Sequence, residues 1–106
     1  MDLNDLQKES KIWGDHNFPN QESWKPLLGI GEELGELNHA HLKLVQGIRV
    51  GENLREKQLD AVGDIIIYLA DYCNREDISL DKCVEYAWEE ASKRDWIKFP
   101  KNGVSE

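Results

Sequence analysis

The sequence predicts an all-α protein of four helices, because apolar residues recur at helical spacing and no segment alternates apolar and polar residues as a strand does. Segments rich in turn-forming residues separate the helical stretches, and the chain has no internal repeat. The 106 residues correspond to one domain, residues 1–106. Helices that are apolar on more than one side predict that a homodimer or homotetramer completes the core.

The first two helices are bounded by recognisable signals. The first is predicted over about residues 2–14, ahead of the segment GDHNFPNQES, which is rich in Gly, Asn and Pro. Ser23 is predicted to cap the second helix, and Pro26 is tolerated in its first turn. Gly47 is predicted to end this helix, since glycine readily adopts the left-handed conformation found at helix C-termini.

The third and fourth helices carry similar signals. Asn53, with Glu56 three residues later, resembles a capping box for a helix over about residues 54–75. Ser79 is predicted to cap a helix over about residues 80–96, which ends before the segment KFPKNG.

Composition and charge limit which partners the protein can bind and which cell compartment we expect it to occupy. A net charge of −8 at pH 7 argues against nucleic-acid binding, which depends on basic residues that neutralise phosphates. No apolar run approaches the roughly 20 residues needed to span a bilayer, and the N-terminus does not resemble a signal peptide. Cys73 and Cys83 lack the spacing of a zinc site. We therefore expect a cytoplasmic protein with reduced thiols and neither a membrane nor a nucleic-acid partner.

The segment GIGEELGELNHA combines acidic residues with glycines that an ordinary exposed helix would replace. Gly35 precedes Glu36, and in the third helix Gly63 precedes Asp64, so we expect close backbone approach beside each acid. Asp64 is followed at once by the apolar run IIIYLA. A carboxylate buried in such surroundings usually requires a basic partner or a metal ion.

Two interpretations of these acids stay open. A group of acidic residues on one helix is usually a solvated face, and Glu32, Glu33 and Glu36 alone do not exclude that. Alternatively, two antiparallel helices with Glu33, Glu36 and Asp64 turned inward form a pocket of oxygen ligands, which suits Mg²⁺ or Mn²⁺. Lys43 and Lys57 are the nearest cations by helical phase and are too few to neutralise the acids.

The motifs EELGEL and DAVGDIIIYLADY resemble those of the MazG-like all-α nucleoside triphosphate pyrophosphohydrolases. The resemblance extends to NFPNQESWKPLLG, HAHLKLVQGIR and SKRDW, and so covers most of the chain. That family pairs an ExxE element with an ExxD element on the next helix. Glu33 and Glu36 match the first element, and Asp64 matches the end of the second. Ala61 stands where the family has a glutamate, and Asp60, one turn before Asp64, is the replacement ligand that we consider.

The resemblance implies a MazG-like four-helix bundle that uses Mg²⁺, or alternatively Mn²⁺, to hydrolyse a nucleoside triphosphate to its monophosphate and pyrophosphate. It implies metal ligands at Glu33, Glu36 and Asp64, and a role for Glu32 in orienting the attacking water. Asp60 is either an additional metal ligand or an ordinary surface residue. The implied substrate contacts are three basic residues and a tryptophan: Lys93, Arg94, Lys43 and Trp13. Lys93 and Arg94 are equally explained as cations near a helix C-terminus. Trp13, like Trp24 and Trp96, is also explained as a core residue.

Two other functions are compatible with the sequence. The change at Ala61 also fits a catalytically weak or inactive helical oligomer that binds a nucleotide or a protein partner. Glu36 and His39 form half of the ligand set of a di-iron bundle, but no second ExxH motif occurs on another helix.

Overall fold

A computed structural model describes residues 1–106 and confirms the all-α prediction, with four helices and no strand. No helix combines the length and the apolar character needed to cross a membrane. The helices are α1 (Leu3–Asn17), α2 (Trp24–Gln46), α3 (Leu54–Arg75) and α4 (Leu80–Ala91).

Most of the predicted helix signals are confirmed. The Gly47 backbone is left-handed, with φ of 69°, and ends α2. The side-chain oxygens of Asn53 and Ser79 accept hydrogen bonds from backbone N–H groups at the start of α3 and α4, at 3.0 and 3.2 Å. Ser23 occupies the predicted position before α2, but its side chain makes no capping hydrogen bond. The prediction of a serine cap at α2 is therefore wrong.

The last helix is shorter than predicted, because a local turn replaces its final turn. The helix ends at Ala91 instead of about residue 96. Asp95 Oδ1 accepts hydrogen bonds from the backbone N–H groups of Ile97 and Lys98, at 3.1 and 2.9 Å. The Asp95 N–H in turn donates to the Gly103 carbonyl at 2.8 Å. The Asp95 side chain thus hydrogen-bonds backbone N–H groups that would otherwise take part in the helix, and this competition ends the helix early.

Helices α2 and α3 form an antiparallel pair at the centre of the fold. The Gln58 and His41 side chains meet at 3.2 Å near one end of the pair, and Gly29 packs against the Tyr68 ring near the other. Helix α1 runs antiparallel to α3 along its second half, where the Asn74 side chain donates to the Gln7 carbonyl at 3.1 Å. Helix α4 contacts α1 and the end of α3 but not α2, so the four helices of one chain do not close into a ring.

A single chain leaves much of its apolar surface uncovered. Only 12 of the 106 residues are buried. The apolar residues at helical spacing on α2 and α3, here called the apolar stripe, are largely exposed, as at Leu34 (48%), Val45 (72%) and Val62 (50%). The radius of gyration is 17.4 Å, whereas a compact chain of this length has about 13 Å. The solvent-accessible surface of 8104 Å² exceeds the roughly 6,100 Å² typical of a monomer of this size.

Candidate active site

A cavity of about 800 Å³ lies between α1, α2 and α3. Glu32, Glu33 and Asp64 line one end of it, and the aromatic rings of Trp13 and Phe18 line the other. The antiparallel pairing of α2 and α3 brings the two acidic motifs of the sequence to the same level. The cavity therefore joins a negatively charged end to an aromatic end.

Glu33 is the most unusual carboxylate at the acidic end. Its side chain is buried, with 9% of the residue exposed, and its Oε2 atom has no hydrogen-bond partner. Burial raises the pKa of Glu33 above its ordinary value, and the neighbouring carboxylates of Glu36, Asp64 and Glu32 raise it further. Such a group is unfavourable unless a proton or a cation compensates its charge.

Asp64 has the same electrostatic character. Its pKa is raised by burial and by the carboxylates of Asp60 and Glu36. None of the ion pairs in the structure includes an acid of the cluster formed by Glu32, Glu33, Glu36, Asp60 and Asp64. Lys57 pairs with Glu52 instead, at 3.0 Å. The protein itself therefore leaves this negative charge uncompensated.

The predicted metal ligands are divided between two adjacent recesses. Glu33 and Asp64 line the large cavity, whereas Glu36 and Asp60 line a wholly polar groove of about 560 Å³ on the other side of Glu32. No three acidic, histidine or cysteine side chains lie close enough together to hold a metal ion as they stand. The donor chemistry and the unpartnered Glu33 oxygen fit a hard cation, and binding one requires side chains of the cluster to turn toward it.

Ala61, which replaces the expected glutamate, is buried with 2% of its surface exposed. Asp60, one residue earlier, faces the polar groove instead of the large cavity. A helix turns by about 100° per residue, so the two positions point in different directions. Asp60 therefore lies with Glu36 in the groove, and its carboxylate contributes to the raised pKa of Asp64.

The prediction of close backbone approach at the motif glycines is wrong within a single chain. A Cβ atom at Gly35 or Gly63 would meet no other group within 4 Å, and the same holds for Gly31. The close approach occurs instead at Gly29, where a Cβ would lie 2.4 Å from the Tyr68 ring. The physical reason is that α3, which packs against α2, presents the large Tyr68 ring opposite Gly29, one turn before the EELGEL motif.

The three basic residues predicted to contact substrate are not brought to the cavity. Lys93 lies beyond the end of α4 and is 3.6 Å from Glu89, and Arg94 packs against Gly103. The Lys43 ammonium donates to the Gln46 side chain at 3.2 Å, far along α2 from the acids. Within one chain these cations face other surfaces.

Trp13 lines the cavity. The alternative prediction, that the tryptophans are core residues, is wrong for the single chain. All four are more than half exposed: Trp13 (58%), Trp24 (53%), Trp88 (67%) and Trp96 (54%). The rings of Trp13 and Phe18 meet edge to face, with centroids 5.8 Å apart and planes at 66°. They give the cavity an aromatic wall suited to a flat ligand.

The cavity also contains residues that the sequence did not single out. Gln21 lines it from the segment between α1 and α2, Lys25 from the first turn of α2, and Tyr68 from α3. The signal was the segment NFPNQESWK, which places an aromatic ring, an amide and a cation close together before the acidic motif. Only the path of the connection between α1 and α2 shows that these side chains line the same cavity as the acids.

Comparison of the chain with protein-family models, with curated proteins and with solved structures finds no match. The resemblance to the MazG-like family therefore rests on the motif residues themselves. What the protein does has to be argued from the acidic cluster and from the cavity beside it.

Proposed function

We propose that this protein is a Mg²⁺-dependent nucleoside triphosphate pyrophosphohydrolase that releases pyrophosphate and the nucleoside monophosphate. The carrying observation is the buried Glu33 oxygen, which has no hydrogen-bond partner and lies among Glu36, Asp64 and Glu32. A carboxylate in this position is unfavourable as long as its charge stays uncompensated. A divalent cation removes that cost and attracts phosphate to an otherwise repulsive acidic surface.

The large cavity supports a nucleotide as the ligand. Its volume of about 800 Å³ is within the range of about 300–1,000 Å³ typical of small-molecule sites. Phosphates bound through a cation at the acidic end leave the base to stack on Trp13 and Phe18 at the other end. Lys25, which lines the cavity, supplies a positive charge for the phosphate oxygens.

Each acidic residue has a proposed role in this reaction. Glu33, Glu36 and Asp64 hold the metal, with Asp60 as an additional ligand from the polar groove. Mg²⁺, or alternatively Mn²⁺, when bound neutralises charge on the triphosphate and lowers the pKa of the attacking water. Glu32, which lines both recesses, orients that water and accepts its proton. Water is thus consumed as the bond between the α- and β-phosphates is broken.

We also propose that the protein is a homodimer or homotetramer in the cytoplasm. A single chain exposes roughly 2,000 Å² more surface than a typical monomer of this size. A stable interface takes only about 800 Å² from each partner. In the assembly, a second copy is required for Lys93 or Arg94 to approach a phosphate bound in this cavity.

The test is the release of pyrophosphate and monophosphate from a panel of NTPs and dNTPs with Mg²⁺, with Mn²⁺ and with chelator. We expect matched amounts of both products, only in the presence of metal. Glu36→Gln and Asp64→Asn should each abolish turnover while the circular-dichroism spectrum stays helical, and the exposed Glu85→Gln on α4 is the matched control. Unchanged turnover in both site variants would refute the assignment.

Two observations favour a second function. No three donor side chains converge, and the buried Ala61 stands where the family that the chain resembles has a glutamate. In this alternative the protein is a catalytically weak or inactive helical oligomer that binds a nucleotide or a protein partner. Mg²⁺-dependent nucleotide binding without any pyrophosphate release would favour it over the enzyme.

A further inference from the structure

We propose that the end of the cavity away from Glu33 and Asp64 is a base-recognition subsite, in which Gln21 selects bases with an amino group at C4 of a pyrimidine or C6 of a purine. This inference rests on the proposed function, because it assumes that the cavity binds a nucleotide. It assigns cytosine and adenine nucleotides as the preferred class over uracil and thymine nucleotides.

Gln21 lies in the segment between α1 and α2 and lines this end of the cavity. The chain reverses at Asn20, whose φ of 59° is in the left-handed region that asparagine tolerates. The Arg75 guanidinium then donates to the Gln21 carbonyl at 3.3 Å and thereby ties the segment between α1 and α2 to α3. This contact positions the Gln21 backbone beside α3.

The Gln21 side chain is incompletely satisfied. Its Oε1 atom is buried and has no hydrogen-bond partner, although the residue lines the cavity. The only other such side-chain atom is the Glu33 oxygen, which lines the same cavity at its acidic end. Buried polar atoms are nearly always hydrogen-bonded or otherwise compensated. The proposed cation compensates the Glu33 oxygen, and the Gln21 oxygen is left as an acceptor for a ligand that donates a hydrogen bond.

The neighbours of Gln21 determine what that ligand presents. Glu9 and Asp71 also line the cavity, and carboxylate oxygens accept hydrogen bonds. Oδ1 of Asp71 already accepts one from Arg75, at 2.9 Å. Trp13 and Phe18 provide the aromatic surface on which a base stacks. Cytosine and adenine present an amino group at the position where uracil and hypoxanthine present a carbonyl oxygen. An acceptor-rich wall favours the amine and repels the carbonyl.

The test is the binding of CMP and UMP to the full-length protein in the presence of Mg²⁺, measured by isothermal titration calorimetry. One neutral hydrogen bond corresponds to a difference of about five- to tenfold in affinity, so CMP should bind tighter than UMP by that factor. Gln21→Leu should bring the ratio close to one by weakening CMP alone. Gln21→Glu keeps an acceptor and should keep the preference, and Gln46→Leu at the exposed end of α2 is the control.

AMP and IMP form a second matched pair, and the same preference for the amine is expected. Equal affinities for CMP and UMP, a preference for UMP, or a preference that Gln21→Leu leaves unchanged would each overturn the inference. A preference that depends on Gln21 without pyrophosphate release from CTP would refute the proposed reaction and leave the subsite standing. Release of pyrophosphate at equal rates from CTP and UTP would support the proposed reaction and refute the subsite. Failure of all four nucleotides to bind would overturn both the reaction and the subsite.

Discussion

Replacing Arg75 with methionine should destabilise the protein strongly, because this side chain joins three parts of the cavity wall. Only 9% of it is exposed, and its Nε donates to Asp71 Oδ1 at 2.9 Å. Its other nitrogens donate to the carbonyls of Gln21 and Gly14, at 3.3 and 3.4 Å. The Arg75→Met variant keeps most of the apolar stem but loses the charge and all three hydrogen bonds.

The expected loss follows from the geometry and the burial. Breaking a fully buried ion pair costs about 3–5 kcal/mol, and an exposed pair contributes about 0–1 kcal/mol. Asp71 is 19% exposed, so the pair lies between these limits. The two carbonyl contacts are long and add little. We expect a loss of about 2–3 kcal/mol, or a fall in Tm of about 10–20 °C for a chain of this size.

The assay is thermal and urea denaturation followed by circular dichroism at one fixed protein concentration, since association stabilises the folded state. The matched control is Lys11→Met, which breaks a shorter ion pair of 2.7 Å whose partners are 60% and 58% exposed. It should change the unfolding free energy by less than about 0.5 kcal/mol. If the two variants were equally stable, the reasoning from burial would be refuted.

Three further predictions concern the core, the acids and the assembly. Gly29→Ala should destabilise the protein by about 1–3 kcal/mol, because its Cβ would lie 2.4 Å from the Tyr68 ring. Gly31→Ala, where the Cβ meets no other group, should stabilise it by about 0.5–1 kcal/mol. Urea denaturation of the two variants measures both changes. The raised pKa of Glu33 makes its ionisation destabilising, so metal-free Glu33→Gln should have a higher Tm than the wild type at neutral pH. That difference should shrink as the pH falls toward the ordinary value of 4.5, and a constant difference would contradict it. Val62→Asp, on the half-exposed stripe, should lower the mass measured by light scattering to that of a monomer.

Much of the fold could be predicted from local signals. The caps at Asn53 and Ser79 and the stop at Gly47 act through nearest-neighbour hydrogen bonds and backbone freedom, which the sequence displays directly. The end of α4 could not be predicted, because the helical pattern continues to Trp96 while Asp95 forms its own turn. Two local preferences competed there, and spacing alone does not decide between them.

The candidate site was predictable only at its acidic end. Pairing of Glu33 with Asp64 follows from antiparallel packing of consecutive helices, which a short connection enforces. The positions of Gln21 and Lys25 depend on the path of the α1–α2 connection and on its anchor at Arg75, 54 residues later than Gln21 in the chain. A contact between residues so far apart in the sequence leaves no periodic signal.

The claim that the cluster around Glu33 binds a divalent cation is tested most directly by Mn²⁺ binding, measured by electron paramagnetic resonance. The wild type and the Glu85→Gln control should bind Mn²⁺ with equal affinity, and Mg²⁺ should displace it. Glu33→Gln should weaken binding by at least about tenfold, as loss of a group that supports a metal does. No Mn²⁺ binding by the wild type, or equal affinity in all three proteins, would contradict the account.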